Sequence, residues 1–352
     1  MSSLIPSDNA LSLSINLLSD IRNLIDASKN RIARSVNSEM TLLYWQIGSR
    51  IKSEILQSSR AEYGEKIVKN IAQSLKSEYG VGFSKRNLFN MIQFYDLYSD
   101  FKIVQTVSAQ LSWSHFIELL KVKEIGEREF YTHMCIQSHW SVRQLHSQIH
   151  RMLFERTEIS KKSPAFIEHN MNALMKENQL TADLVLKDPY ILDFLNLPQE
   201  HYENDLEAAI LQEIEKFMLE LGTGFTFVAR QKRITVDNEH FYVDLAFYNR
   251  RIRRMVLLEL KTGRFKAEYK GQMELYLNWF RKYECFEGEE PPIGIILCTE
   301  KSAHQIELLD LSSSGIHVAE YWTELPPKEV FEKKMQQIVR QAKEKLHRIA
   351  EE

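Results

Sequence analysis

The sequence predicts two domains of different class: an all-α N-terminal domain, then an α/β domain with a mixed sheet flanked by helices. Three observations carry that expectation. Apolar residues recur at three- and four-residue spacing from Leu11 to Arg156, with few strand-like alternations. Beyond residue 200 the pattern becomes helix, three strands, helix, two strands, helix. A chain of 352 residues is long enough for two cores of ordinary size.

The elements follow in order. "LLSDIRNLIDASKNRIARSVNSEMTLLYWQIGSRIKSEIL" repeats its apolar residues at helical spacing. "GEKIVKNIAQSLKSEYG" is an amphipathic helix stopped at Gly80. After "VGF", Ser84 is a natural N-cap for "KRNLFNMIQFYDLY". "SWSHFIELLKV", "EREFYTHMCIQ" and "SVRQLHSQIHRMLFER" read as further helices, completing a helical domain over 1–156. Residues 157–200 read as a linker and entry segment: "TEISKKSP" is polar and ends in proline, and "KDPYILDFLNLPQEHYEND" mixes prolines with short apolar pieces. In 201–352, "DLEAAILQEIEKFMLELG" is a strong helix ended by Gly222 or Gly224. "FTFVARQKRITV", "EHFYVDLAFYN" and "RMVLLELK" are strands, and "AEYKGQMELYLNWFRKY" is a helix. "PPIGIILCTE" and "IHVAEYW" are strands, and "PKEVFEKKMQQIVRQAKEKLHRI" closes the chain as a charged helix.

Composition removes several classes of function. The apolar fraction of 44% and charged fraction of 26% suit a soluble globular protein. A net charge of −3 means that a nucleic-acid partner must be met by a local basic patch. Cys135, Cys285 and Cys298 are far apart, which suits a reducing compartment rather than a disulfide framework. "MSSLIPSDNALSLSINLL" lacks the basic start and long apolar run of a secretory leader, and no stretch has the length to span a membrane. A cytoplasmic protein is the expectation.

The chemistry concentrates in "FYVDLAFYNRRIRRMVLLELKTGRF". On strict alternation, Tyr242, Asp244, Ala246 and Tyr248 share one face, and Leu257, Glu259 and Lys261 share one face of the next strand. Pairing through the turn near Asn249 brings Asp244 and Glu259 together. Two buried like charges at short range are unfavourable unless a cation lies between them. Mg2+ or Mn2+ suits such hard oxygen donors, and Lys261 projects to the same side, able to hold water or phosphate.

Asp followed 15 residues later by Glu-X-Lys resembles the PD-(D/E)XK nuclease signature. The resemblance assigns Asp244 and Glu259 as metal ligands, with the Leu260 carbonyl as a further one, and Lys261 as the catalytic lysine. The proline of the signature is absent, since Val243 precedes Asp244. An acidic residue on the preceding helix joins such sites; Glu207 and Glu213 both fit, with Glu207 preferred. Gln272 and Tyr276, spaced i, i+4, resemble the Q-x-x-x-Y motif of one branch of these nucleases. "SAQLSWSHF", "WSVRQLHSQI", "FMLELGTGFTFVARQKRI" and "LKTGRFKAEYKGQMELYL" extend the likeness to the bacterial YhcG-like family, over about Thr41 to Thr323. That resemblance implies a helical N-terminal domain joined to a PD-(D/E)XK domain. It also implies a metal-dependent deoxyribonuclease in restriction, defence or DNA processing. The alternative is a catalytically inactive nucleic-acid-binding or assembly subunit on the same fold. RNA stays open as a substrate, and so does a homodimer, since a concerted double-strand cut needs two sites.

Basic residues suggest where DNA would lie. Arg250, Arg251, Arg253 and Arg254 form a turn that contacts phosphates or is simply a solvated tip. Arg264, Lys266 and Lys270 follow the motif and are expected to line the same groove. Residues 70–95 read as helix, short turn, helix, which either presents Ser84, Lys85, Arg86 and Asn87 to DNA or is ordinary packing within an α domain. His146 and His150 are spaced for zinc but lack a third ligand at motif spacing, so solvated or packed histidines are the better reading.

Overall fold

The computed structural model describes residues 8–57, 61–177, 180–198 and 200–351. The first seven residues, part of the stretch read above for a leader, lie outside them. The chain divides into two compact units, Met1–His146 and Ser147–Glu352. The division falls ten residues before the expected boundary at 156, because that decade packs with the second unit. Met152 joins Ile191, Phe331 and Met335 in one apolar cluster, and Arg156 is fully buried against Glu220.

The first unit contains α1 (Asp8–Gln57), α2 (Ala61–Tyr79), α3 (Lys85–Leu97), α4 (Phe101–Ser108), α5 (Trp113–Leu119) and α6 (Ile125–Ser138), and α7 (Val142–His150) begins in it. Its described residues include no strand. Ser84 caps α3 by accepting the Asn87 N–H at 3.4 Å, and Asp100 caps α4 by accepting the Lys102 N–H at 2.8 Å. Leu88, Met91 and Ile92 of α3 pack on Tyr44 and Ile51 of α1 and on Val68 and Ala72 of α2. Gly48 permits the close approach of α1 to α3: a Cβ there would sit 2.0 Å from the Met91 carbonyl oxygen.

The second unit continues with α8 (Leu153–Arg156), α9 (Pro164–Glu177), α10 (Ala182–Val185), β1 (Tyr190–Ile191), α11 (Glu203–Gln212) and α12 (Ile214–Leu221). Then come β2 (Phe225–Val236), β3 (Glu239–Asn249), β4 (Arg254–Leu260), α13 (Glu268–Tyr283), β5 (Ile293–Cys298), α14 (Ala303–Leu308), β6 (Ile316–Trp322) and α15 (Lys328–Glu351). The strands form one mixed sheet in the order β1-β6-β5-β4-β3-β2, antiparallel from β2 to β4 and parallel from β4 to β1. β5 is buried throughout, as its unbroken apolar run "IGIILC" requires of an inner parallel strand. Met273, Tyr276, Leu277 and Phe280 of α13 pack with Ala246, Leu257 and Ile296. Gly294 makes room for α13, since a Cβ there would meet the Met273 sulfur at 2.4 Å. Phe217 of α12 packs on Phe247.

Two expectations change here. Residues 157–200 are more than a connector: Tyr190 and Ile191 pair in parallel with Tyr321 and Trp322, adding an edge strand. The same segment carries a buried ionic network. Asp188 accepts Lys161 Nζ at 3.0 Å, Lys301 Nζ, and the Glu320 N–H at 3.1 Å, while Lys187 donates to the Glu220 carbonyl. The helix expected over "DLEAAILQEIEKFMLELG" is divided at Glu213, whose backbone leaves the helical region at φ −108°, ψ 33°.

Candidate active site

The last residues paired between β3 and β4 are Leu245 and Leu258. One step further, the strands part at Asp244 and Glu259. There the Asp244 N–H points at Glu259 Oε1 at 3.4 Å, and the Leu260 N–H donates to Asp244 Oδ2 at 2.9 Å. The main chain at the site is thus tied to carboxylate oxygens instead of to a strand partner. β4 stays anchored on its other edge, where the Lys261 N–H donates to the Leu297 carbonyl at 2.8 Å. Lys261 Nζ lies 3.2 Å from Glu259 Oε2 and 5.4 Å from the centre of the Tyr269 ring. The three residues of the Asp…Glu-X-Lys pattern therefore meet at one end of the sheet.

The alternation expected of β3 does not hold through this point. Val243 and Ala246 belong to the same core cluster, as does Ile234 of β2, so the side-chain parity changes at Asp244. The change coincides with the loss of the β4 partner and with Gln231, opposite on β2, whose φ is +46°.

α11 supplies the next contacts. Glu207 is buried; its carboxylate accepts the Arg230 guanidinium and, at 2.7 Å, Gln231 Nε2. The same Gln231 nitrogen donates to Asp244 Oδ1 at 3.0 Å. Glu203, one turn earlier on α11, accepts the Thr262 N–H at 3.3 Å and lies 3.7 Å from Lys261 Nζ. Glu213 is paired with Lys216 and takes no part. On α13, Gln272 Nε2 donates to the Tyr276 hydroxyl at 2.6 Å, which donates to the Tyr242 carbonyl at 3.1 Å. Both groups are thereby turned to the β3 backbone two residues from Asp244.

Charge is unbalanced here. Burial pushes the Glu259 carboxyl up, and the Asp244 charge adds to it, so that it reaches about 8 despite Lys261. Burial also raises Asp244, against the Leu260 N–H, Lys261 and Gln231. For Lys261 burial works against the charge, but Glu259, Glu203 and Asp244 outweigh it and raise its pKa.

Other residues singled out in the sequence lie elsewhere. The arginine turn sits at the far end of the β3–β4 hairpin, five residues from Asp244, or about 17 Å at the rise of a strand. It faces an acidic loop: Arg253 and Arg254 each approach Glu290 at 3.7 Å, and Glu290 N–H donates to the Arg253 carbonyl. Arg251 packs against Gly224, and Arg250 N–H bonds the Gly224 carbonyl. The hairpin carries the turn away from the acids. Arg264 and Lys266 are exposed just beyond the motif, Lys266 with Glu268 3.7 Å away, and Lys270 is held by the Leu309 carbonyl and Glu274. In the first unit, Lys85 is paired with Glu65 at 2.6 Å and Arg86 is exposed. Asn87 donates to the Gly82 carbonyl and accepts from Trp113 Nε1, both contacts within the first unit. His146 binds Glu118 at 2.8 Å.

Sequence reasoning missed Glu203, Arg230 and Gln231. Glu203 had a signal, since it precedes Glu207 by one helical turn. Gln231 had none, being one polar residue in an alternating strand.

Among the described residues, no group of three or more His, Cys, Asp or Glu is placed to hold a metal ion, and no helix is long and apolar enough to cross a membrane. Residues 20–156 match the family model described as "DUF1016 N-terminal domain", and residues 183–337 match "YhcG PDDEXK nuclease domain". A curated relative from Escherichia coli (strain K12), named "Putative nuclease YhcG", is 34% identical over 338 residues, covering 87% of this chain and 89% of that protein. Among solved structures, a repair endonuclease from Pyrococcus abyssi is 22% identical over 37% of this chain and 50% of that chain, with a TM-score of 0.25. An EndoMS–dsDNA complex is 19% identical over 38% and 48%, with a TM-score of 0.26. The chain spans about half the length of these solved structures.

Proposed function

The chain belongs to the YhcG family, with a PD-(D/E)XK nuclease fold in its C-terminal unit, and on that premise we propose that it hydrolyses DNA phosphodiester bonds with Mg2+ or Mn2+ held at Asp244 and Glu259. The observation that carries the reading is the convergence of Asp244, Glu259 and Lys261 where β3 and β4 part, with burial raising both carboxyls. Such a pair has one ammonium, Lys261, for two carboxyls, and its donors are the hard oxygens that Mg2+ and Mn2+ take. The Leu260 carbonyl is a third oxygen at the same strand end. Two protein carboxylates suit Mg2+, which keeps several waters and takes substrate phosphate as a ligand. A cation bound there would polarise a phosphoryl oxygen and acidify a water.

The chain's own residues do the rest. Lys261 holds its ammonium beside Glu259, where it would steady the attacking water or the charge developing on the phosphate. Tyr276, oriented by Gln272, braces β3 at Tyr242 and keeps Asp244 in place. Contact with the DNA backbone falls to exposed Arg264 and Lys266, next to the site, before the arginine turn at the far end.

The test is cleavage of linear, supercoiled and single-stranded DNA, with RNA in parallel, by the purified full chain with Mg2+ or Mn2+. Metal-dependent DNA cleavage that is lost in Asp244→Ala and Lys261→Ala supports the reading. Cleavage of RNA alone would replace the substrate. Binding of DNA with no cleavage under any of these conditions would favour a binding or assembly subunit.

A further inference from the structure

β2 contains a conformation that its sequence does not need for hairpin formation. Eight non-glycine residues among those described have positive φ, and seven of them lie at helix ends or in turns. Gln231 is the exception: it lies inside a strand of 12 residues, at φ +46°, with Arg230 and Lys232 on either side still paired to β3. A side chain in the left-handed region is costly and persists where the surroundings hold it there.

What it achieves is visible in its contacts. The Gln231 amide nitrogen donates both to Glu207 Oε2 at 2.7 Å and to Asp244 Oδ1 at 3.0 Å, one carboxylate from a helix and one from the neighbouring strand. An amide NH2 has two donors and no charge. It can therefore bridge two acids without supplying the cation that would compete with a metal, as lysine or arginine would in the same place. Asp244 Oδ2 is taken by the Leu260 N–H, so Gln231 is the side chain that fixes the other oxygen.

We infer that Gln231 is a positioning residue for the acidic cluster, holding Asp244 in the orientation that binds the cation and keeping Glu207 beside it. The inference rests on the reading of Asp244 and Glu259 as metal-holding. The left-handed backbone is the device that turns the amide out of the strand and between the two acids.

The experiment uses the full chain and Mn2+ itself, counted as free ion by electron paramagnetic resonance, with cleavage and thermal melting measured alongside. Gln231→Gly accepts the positive φ but removes the amide, and Gln231→Asn tolerates that backbone while keeping a shorter amide. The expected result is Mn2+ binding weakened about 10-fold or more in Gln231→Gly, the scale on which residues that orient metal ligands act, with partial recovery in Gln231→Asn. Cleavage by Gln231→Gly should recover with added metal. A merely structural residue would lower the melting temperature and leave Mn2+ affinity within twofold of the parent; that outcome in folded Gln231→Gly overturns the inference. If the parent binds Mn2+ and Asp244→Asn does not, the metal reading stands and the Gln231 variants alone decide. If the parent and Asp244→Asn are equally poor binders, the metal reading falls and this inference with it.

Discussion

The second unit buries ionisable groups in two places, and the two behave in opposite ways. Behind β1, Asp188, Glu158 and Glu220 lie among Lys161, Lys301, Lys187 and Arg156. Burial alone would raise Asp188, but Lys301 and Lys161 outweigh it and hold the carboxyl well below the usual range. Glu220 is likewise lowered, by Arg156 and Lys187 against burial. At the end of β3 and β4 burial raises the corresponding carboxyls, and the one ammonium that Asp244 and Glu259 share, Lys261, does not offset it. Burial of charge is common to both; the cation count differs. A network in which every acid has a cation beside it fastens the fold, whereas two buried carboxyls with one ammonium leave a charge deficit that a further cation would offset.

Exchanging the consequences of mutation between the two places tests that contrast. The largest effect is expected from Asp244→Ala or Lys261→Ala: DNA cleavage should fall by about 10^3-fold or more, on the scale of a lost transition-state contact, with the melting temperature little changed. A cleavage rate within tenfold of the parent would remove the distinction.

Glu220→Ala should do the reverse. It leaves Arg156 and Lys187 buried without their carboxylate, at an expected cost of about 3–5 kcal/mol in denaturant unfolding, while cleavage per folded molecule is retained.

The pH dependence separates the two sites by sign. Glu259 has a folded pKa of about 8 against an ordinary 4.5, so across that interval the metal-free folded chain keeps a proton that the unfolded chain has released. Its contribution to stability therefore declines as pH rises from about 4.5 to 8. Asp188 is depressed, so its contribution is present above its ordinary 3.8 and is lost only as pH falls below that. Melts between pH 6 and 8.5 should show Glu259→Gln stabilising the metal-free protein most at the alkaline end, and added Mg2+ stabilising the parent increasingly over the same range. A melting difference independent of pH would refute the assignment of the raised group.

The smallest effect is expected at the arginine turn. Arg253→Ala should change DNA affinity by less than about threefold, because Glu290 already faces it, whereas Arg264→Ala, next to the site, should reduce the salt dependence of binding by about one phosphate contact. Equal losses in both would return the turn to the DNA path.

Much of this was legible before any coordinates. Asp244 lies on β3, Glu259 on β4 and Lys261 just beyond it, so the pairing of one hairpin brings them to the same strand end. Helical spacing and the Ser84 cap likewise announced the first unit. β1 was not legible, since two residues beside a proline carry no period, and they become a strand only because β6 offers its edge. Gln231 was not legible because nothing in "ARQKR" states a left-handed residue.

The sequence by itself determined the two fold classes, the hairpin and the residues that could chelate, because periodicity and short-range pairing are written in neighbouring positions. Only the tertiary structure decided that Glu203 and Glu207 reach the strand end and Glu213 does not, that the arginines point to an acidic loop, and that one group of buried acids is neutralised while the other is left in excess. Those outcomes depend on which segments distant in sequence come to lie side by side, and the dielectric and charge surrounding a carboxyl are properties of that assembly.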